Sequence, residues 1–160
     1  MEKTKRISKK LLFAKTVEIL QPKIGLSHWK IVVKFSNHMK CAADCEAFPE
    51  YKQAVIRANL KTFKRLTHYE VVMTAVHEMT HCIIWPIAAW TEELCDADAQ
   101  KLEITRKLEE GLVTDFEKIL SDLCANTLQE ELTKQGYSDI LLITPHLRVV
   151  TEPKKITSRK

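Results

Sequence analysis

The 160-residue chain carries 25 basic and 21 acidic side chains, is 45% hydrophobic, and contains only three glycines and five prolines. That composition fits one globular domain with a single core and excludes low-complexity, collagen-like and disulfide-scaffold chains. The net charge of +4 sits at the ends: residues 1–10 hold five basic and one acidic side chain and 151–160 hold four and one, leaving 16 basic and 19 acidic for 11–150, a net of −3, so the body is not a polycationic nucleic-acid binder.

From the N-terminus, residues 1–10 read as a basic flexible tail and 146–160 as a second, disordered one, enclosing a single domain over 11–145. Apolar positions 12, 13, 16, 17 and 20 give a helical pattern from about Lys9 to Leu20, closed by Pro22 and Gly25. The apolar run Leu11–Ala14 is cut by Lys15, too short for a secretory segment, and no stretch approaches the roughly 18 apolar residues expected of a membrane span. Five cysteines (Cys41, Cys45, Cys82, Cys95, Cys124) cannot all pair and are too sparse for a disulfide framework, so a reducing, cytoplasmic setting is expected, with no membrane partner.

"HWKIVVKFS" (28–36) alternates apolar and polar residues except at Val32, the pattern of a half-buried strand. "NHMKCAADCEAFPEY" (37–51) reads as a turn and a second strand, and "QAVIRANL" (53–60) as a third. Thr67 and Glu70 stand at capping-box spacing before an apolar run, which predicts a helix through Val71–Trp85 that stops at Pro86. A second long helix is expected over Glu92–Gln129 with a break at Gly111, then a short helix ended by Gly136. Strands followed by helices predict an α+β fold.

The first of these helices contains His77-Glu78-Met79-Thr80-His81. Histidines four residues apart lie on one helix face, where two imidazoles can converge on one ion at the roughly 2.0–2.1 Å that zinc requires. The intervening glutamate stands beside that ion and can act as general base on a metal-bound water, the nucleophile in peptide hydrolysis. His77 and His81 flank the helix's core stripe of Val76, Met79 and Ile83, where unliganded imidazoles would need other partners.

A catalytic zinc site needs a third ligand. "CIIWPIAAWTEEL" after His81 offers no histidine, so a carboxylate from the next helix is expected. On a helical wheel Leu102, Thr105, Leu112, Val113, Phe116, Leu120 and Leu123 all fall within about 60° of Glu109. Glu109 thus lies on the apolar face, where an adjacent cation would offset the cost of burying it. Glu110 lies about 100° away among Lys107, Glu103 and Glu117 and is the alternative. Asp96 and Asp98 rank lower, as ligands or acceptors for the histidine N–H groups.

His77-Glu78-x-x-His81 with a downstream glutamate resembles the gluzincin metallopeptidases, most closely the minimal versions common in phage and prophage genomes. "HEMTHCIIWP" and "EEGLVTDFEKIL" match that pattern, and "WKIVVKF" and "YKQAVIRANL" resemble the strands such domains place ahead of the active helix. The resemblance covers roughly residues 28–125. It implies a small twisted antiparallel sheet packed on the active-site helix and further helices, with "QAVIRANL" as the edge strand able to pair with an extended peptide. It also implies one zinc ion, a peptide or protein substrate, and a phage protein at work in a host cell. No histidine or tyrosine stands out for oxyanion stabilisation; His146, Tyr137 and Tyr69 are the candidates. A second reading keeps the zincin fold without efficient catalysis, as a regulatory or binding module whose basic tails engage a protein or DNA partner. His38-x2-Cys41-x3-Cys45 is a weaker metal pattern without a matching distal pair, and Trp85 and Trp90 are expected to pack around the helix end.

Overall fold

The computed structural model describes residues 6–94 and 99–137, with only the backbone at positions 92, 94, 99, 121 and 122. Helix α1 (Lys9–Leu20) is capped by Ser8, whose hydroxyl accepts the Leu11 N–H, and ends at Leu20 with Gln21 as its C-cap, followed by a turn in which Gly25 takes a φ of +84°. The packed body begins before residue 11: Ile7 is buried, so the segment expected to be a free tail contributes to the core.

Strands β1 (Lys30–Ser36), β2 (Ala43–Phe48) and β3 (Gln53–Asn59) form one sheet of order β1-β3-β2. A 3-10 turn at Pro49–Tyr51 and the left-handed Lys52 reverse the chain between β2 and β3, which pair antiparallel from Ala43↔Ala58 to Phe48↔Gln53. β1 instead runs parallel to β3, from Lys30↔Gln53 to Ser36↔Asn59. The α+β class stands. Two sheet expectations do not: the sheet is mixed rather than antiparallel, and β3 is its centre rather than its edge. The pairing shows it directly: β3 is hydrogen-bonded to β1 on one edge and to β2 on the other, which leaves it no free edge, while Ala54, Ile56 and Ala58 on one of its faces are at most 1% exposed.

A short helix, α2 (Leu60–Phe63), follows β3. Asn59 caps it through Oδ1, while its amide donates to the Met39 and Cys41 carbonyls at 2.8 and 3.1 Å. That one buried side chain ties the loop before β2 to the end of β3.

α3 (His68–Leu94) starts at the expected capping box: Glu70 accepts the Thr67 N–H at 2.6 Å and donates its own N–H to the Thr67 hydroxyl at 3.2 Å. It does not stop at Pro86. Pro86 is exposed and the helix continues through it, forgoing the bond that an N–H there would give the Cys82 carbonyl. The stretch His68–Thr91 is, by length and composition, apolar enough to cross a membrane, contrary to expectation; 56% of its most apolar window is buried against the rest of the fold. α4 (Ala99–Lys134) is continuous through Gly111 and absorbs the short final helix. It ends at Gly136 (φ +85°), where the Tyr137 N–H reaches the Leu132 carbonyl at 2.9 Å, a glycine-terminated stop.

The core lies between the sheet, α1 and the α3–α4 pair, centred on Phe13, Ile56, Val72, Met79, Leu128 and Leu132. Phe13 packs on Phe35 and Phe63 with centroids 6.2 and 5.1 Å apart. α3 is thereby pinned between the sheet and α4, with His77 and His81 facing α4.

Candidate metal centre

α3 presents His77 and His81 one turn apart, with ring centroids 5.1 Å apart. α4 crosses them antiparallel, since residues later in α3 meet residues earlier in α4. His77 Nδ1 lies 3.0 Å from Glu117 Oε2, and His81 Nδ1 lies 3.2 Å from Glu109 Oε1. Those carboxylates are only 22% and 12% exposed. As acceptors they hold the protons on Nδ1 and leave the Nε2 lone pairs free. Both Nε2 atoms face one carboxylate, Glu110, at 3.7 Å each.

His77, His81 and Glu110 offer three ligand atoms within 4.8 Å of one another. Two ligands at 2.0–2.1 Å on a tetrahedral ion stand about 3.3 Å apart. The two 3.7 Å separations run to different oxygens of Glu110, Oε2 to His77 and Oε1 to His81, so side-chain shifts of up to about 1.5 Å bring three donors that lie within 4.8 Å of one another to the spacing of such an ion. Two imidazoles and a carboxylate are a donor set suited to zinc and its neighbours.

Glu109, favoured by the wheel, is brought to the outer nitrogen of His81, and the alternative Glu110 is brought to the two inner ones. The wheel placed Glu109 on a mostly buried position, as its 12% exposure shows, but its contact is with the outer nitrogen of His81. Glu110 is 61% exposed because it reaches across the mouth of the site. Glu117 was passed over as one of the charged flank. Its signal was the seven-residue spacing from Glu110, which puts both on one face.

Glu78 is 5% exposed beside this cluster. Burial raises its carboxyl to about 7; His77 opposes the rise, and Asp44, Glu110 and Glu117 reinforce it. The Glu117 hydrogen bond raises His77 against the opposing effect of burial. A cavity of about 560 Å³ opens over the cluster, lined by Cys41, Ala43, Asp44, Cys45, Trp85 and Arg106 as well as by His77, Glu78, His81, Glu109 and Glu110. A second, of about 410 Å³, lies on the other side of Glu78 and shares Ala43, His77 and Glu78 with the first. The two form a groove along the outer edge of β2, to which no strand pairs among the described residues.

Arg106 was not foreseen, although it stands one turn before Glu110 and therefore on the same face. Tyr69 and Tyr137 line neither cavity; Tyr137 packs at the end of α4. Asp96, Asp98, Cys95 and His146 lie outside the described residues. The His38/Cys41/Cys45 pattern does not assemble. Cys45 instead faces Cys82 at 3.7 Å between sulfurs, and that contact, with burial, pushes its thiol up, away from the thiolate a metal needs. His77/His81/Glu110 is the one three-donor group among the described residues. Trp85 is half-buried at the cavity, whereas Trp90 is 66% exposed rather than packed.

No protein-family model matches the chain, and neither a curated protein nor a solved structure matches it.

Proposed function

We propose that this chain is a zincin-like metallopeptidase: His77, His81 and Glu110 hold a zinc-class ion, Glu109 and Glu117 orient the two imidazoles, and Glu78 is the general base. One observation carries the reading. Both inner histidine nitrogens and a carboxylate converge, both outer nitrogens are already engaged by carboxylates, and a buried glutamate stands alongside. A structural histidine pair has no need of all three.

When bound, the ion supplies Lewis acidity that polarises a carbonyl and acidifies water. The remaining work falls to the chain's own groups. A carboxyl with a value near 7 is well matched to taking a proton from water and returning it to the leaving amine at neutral pH. A cation next to Glu78 favours its ionised, proton-accepting form. Arg106, a cation in the cavity wall, can polarise a substrate carbonyl, a role that neither Tyr69 nor Tyr137 is placed to fill. The outer edge of β2 offers unpaired backbone groups to an extended peptide. A groove continuing on both sides of Glu78 admits chain in both directions, which supports internal cleavage.

The test is purified protein loaded with zinc and incubated with an unfolded polypeptide. Chelator-sensitive cleavage that Glu78→Gln abolishes, with the metal still bound, is the expected outcome. Retained metal with no cleavage, together with salt-steep DNA binding, would instead support the regulatory module.

A further inference from the structure

α4 carries apolar surface that stands exposed among the described residues. Ile104, Leu108, Leu112, Phe116, Ile119 and Leu123 are 52, 63, 44, 42, 64 and 67% exposed. On a helical wheel they occupy one arc of about 120°, centred some 160–180° from Glu110 and Glu117. The arc runs along about 29 Å of helix, at 1.5 Å per residue. Taking roughly 200 Å² for a large apolar residue left free, these fractions amount to about 600–700 Å² per chain. That exceeds the usual largest apolar patch on a monomer, and doubled it reaches the lower bound of about 1,200 Å² for a stable interface between two proteins.

We propose that this stripe is a homodimer interface in which the α4 helices of two copies pair antiparallel. The spacing is self-complementary. With the two-fold axis between residues 113 and 114, Ile104 of one copy meets Leu123 of the other, Leu108 meets Ile119, Gly111 meets Phe116, and Leu112 meets Asp115, the one acid in the middle of the stripe, whose carboxylate is paired with Lys118 of its own helix. Apolar faces apolar at both outer levels. At the Gly111 level the largest side chain of the stripe faces the one residue without a side chain. Nothing lies within 4 Å of where a Cβ on Gly111 would be, so packing within the chain does not call for glycine there, and glycine inside a helix costs about 1 kcal/mol relative to alanine. A ring from a second copy gives the open position a use. The metal cluster lies on the opposite side of α4, so both grooves stay open in the pair. The proposal is independent of the hydrolytic reading.

Sedimentation equilibrium of the full-length chain at micromolar concentration tests it, with zinc content and far-ultraviolet circular dichroism recorded for every variant to verify folding. The wild type is expected to be a dimer. Leu108→Lys, at an exposed position, is expected to weaken association at least a hundredfold while leaving metal binding intact. The double variant L108K/I119E places opposite charges at facing positions and is expected to recover most of the association. I104E/L108K carries the same charges without facing them and is expected to stay monomeric. A monomeric wild type overturns the proposal, whether the chain's own residues 138–160 or a different protein then covers the stripe. Dimerisation untouched by L108K overturns it as well, and failure of L108K/I119E to recover association overturns the antiparallel register.

Discussion

Replacing Glu78 with glutamine should change how the metal-free protein responds to pH. The carboxyl is 5% exposed and burial raises it from 4.5 to about 7. In the unfolded chain it ionises near 4.5, so between 4.5 and 7 the folded state holds a proton that the unfolded state has released. Stability therefore falls as pH rises. The contribution is fully present below about pH 4.5 and is lost as pH passes through 7. A shift of about 2.5 units corresponds to about 3 kcal/mol at 1.36 kcal/mol per unit. His77 is also raised, above 6.5. Its contribution has the same sign, present below pH 6.5 and lost above the raised value; the Glu117 hydrogen bond that chiefly raises it remains in the variant, while the smaller charge effect of Glu78 on it is removed and adds to the expected difference. The assay is urea unfolding of chelator-treated wild type and Glu78→Gln at pH 4.5 and pH 8. Any constant offset from burying an amide cancels in the difference between the two pH values. That difference is expected to be smaller by about 3 kcal/mol in the variant. Equal pH dependence in the two proteins would refute the claim that Glu78 is held protonated by burial.

Three further outcomes follow from the geometry. In zinc competition against a chromophoric chelator, Glu109→Gln and Glu117→Gln should each weaken binding about 10–100-fold, as loss of a histidine-orienting carboxylate does; Glu110→Gln should weaken it more than either, and a larger loss in Glu109→Gln would restore Glu109 as ligand. Asn59→Ala removes amide bonds to Met39 and Cys41 and the cap of α2 from a site 3% exposed, so urea unfolding should show about 2–4 kcal/mol less stability. Thr67→Ala breaks one half of the capping box of α3, and the same measurement should show a loss of about 1 kcal/mol.

The local signals in the sequence carried as far as local chemistry reaches. The Thr67/Glu70 box started α3 where expected, alternation located β1, and Gly25 and Gly136 mark chain reversals because both need positive φ. These features are decided within a few residues. Strand order is not. Nothing in "QAVIRANL" distinguishes an antiparallel edge from a strand with a parallel neighbour, because the partner on each side of β3 is a segment outside it in the sequence, and the parallel one, β1, lies beyond β2. Pro86 misled for a related reason: the lost hydrogen bond is local, whereas Ala88 beyond it is buried and helps hold the helix together.

The different places of Glu109 and Glu110 at the histidine pair and the exposed stripe on α4 have one origin. A wheel finds the centre of all the apolar residues on a helix and assumes that the chain covers that centre. In α4 the apolar arc is wider than the covered one. Val113, Cys124, Leu128 and Leu132 are buried against the rest of the fold, whereas Leu112, Phe116 and Leu123, which helped to centre the arc on Glu109, stand exposed. The covered face is displaced from the apolar face toward the side that bears Glu110 and Glu117. That rotation carries Glu110 to the inner nitrogens of both histidines and leaves Glu109 on the outer nitrogen of His81. An apolar stripe serving only this chain's own core would have centred on the residues that α3 buries, and Glu109 would then have faced the inner nitrogens. The offset between the two arcs thus connects the make-up of the candidate metal centre to the surface on the far side of the same helix.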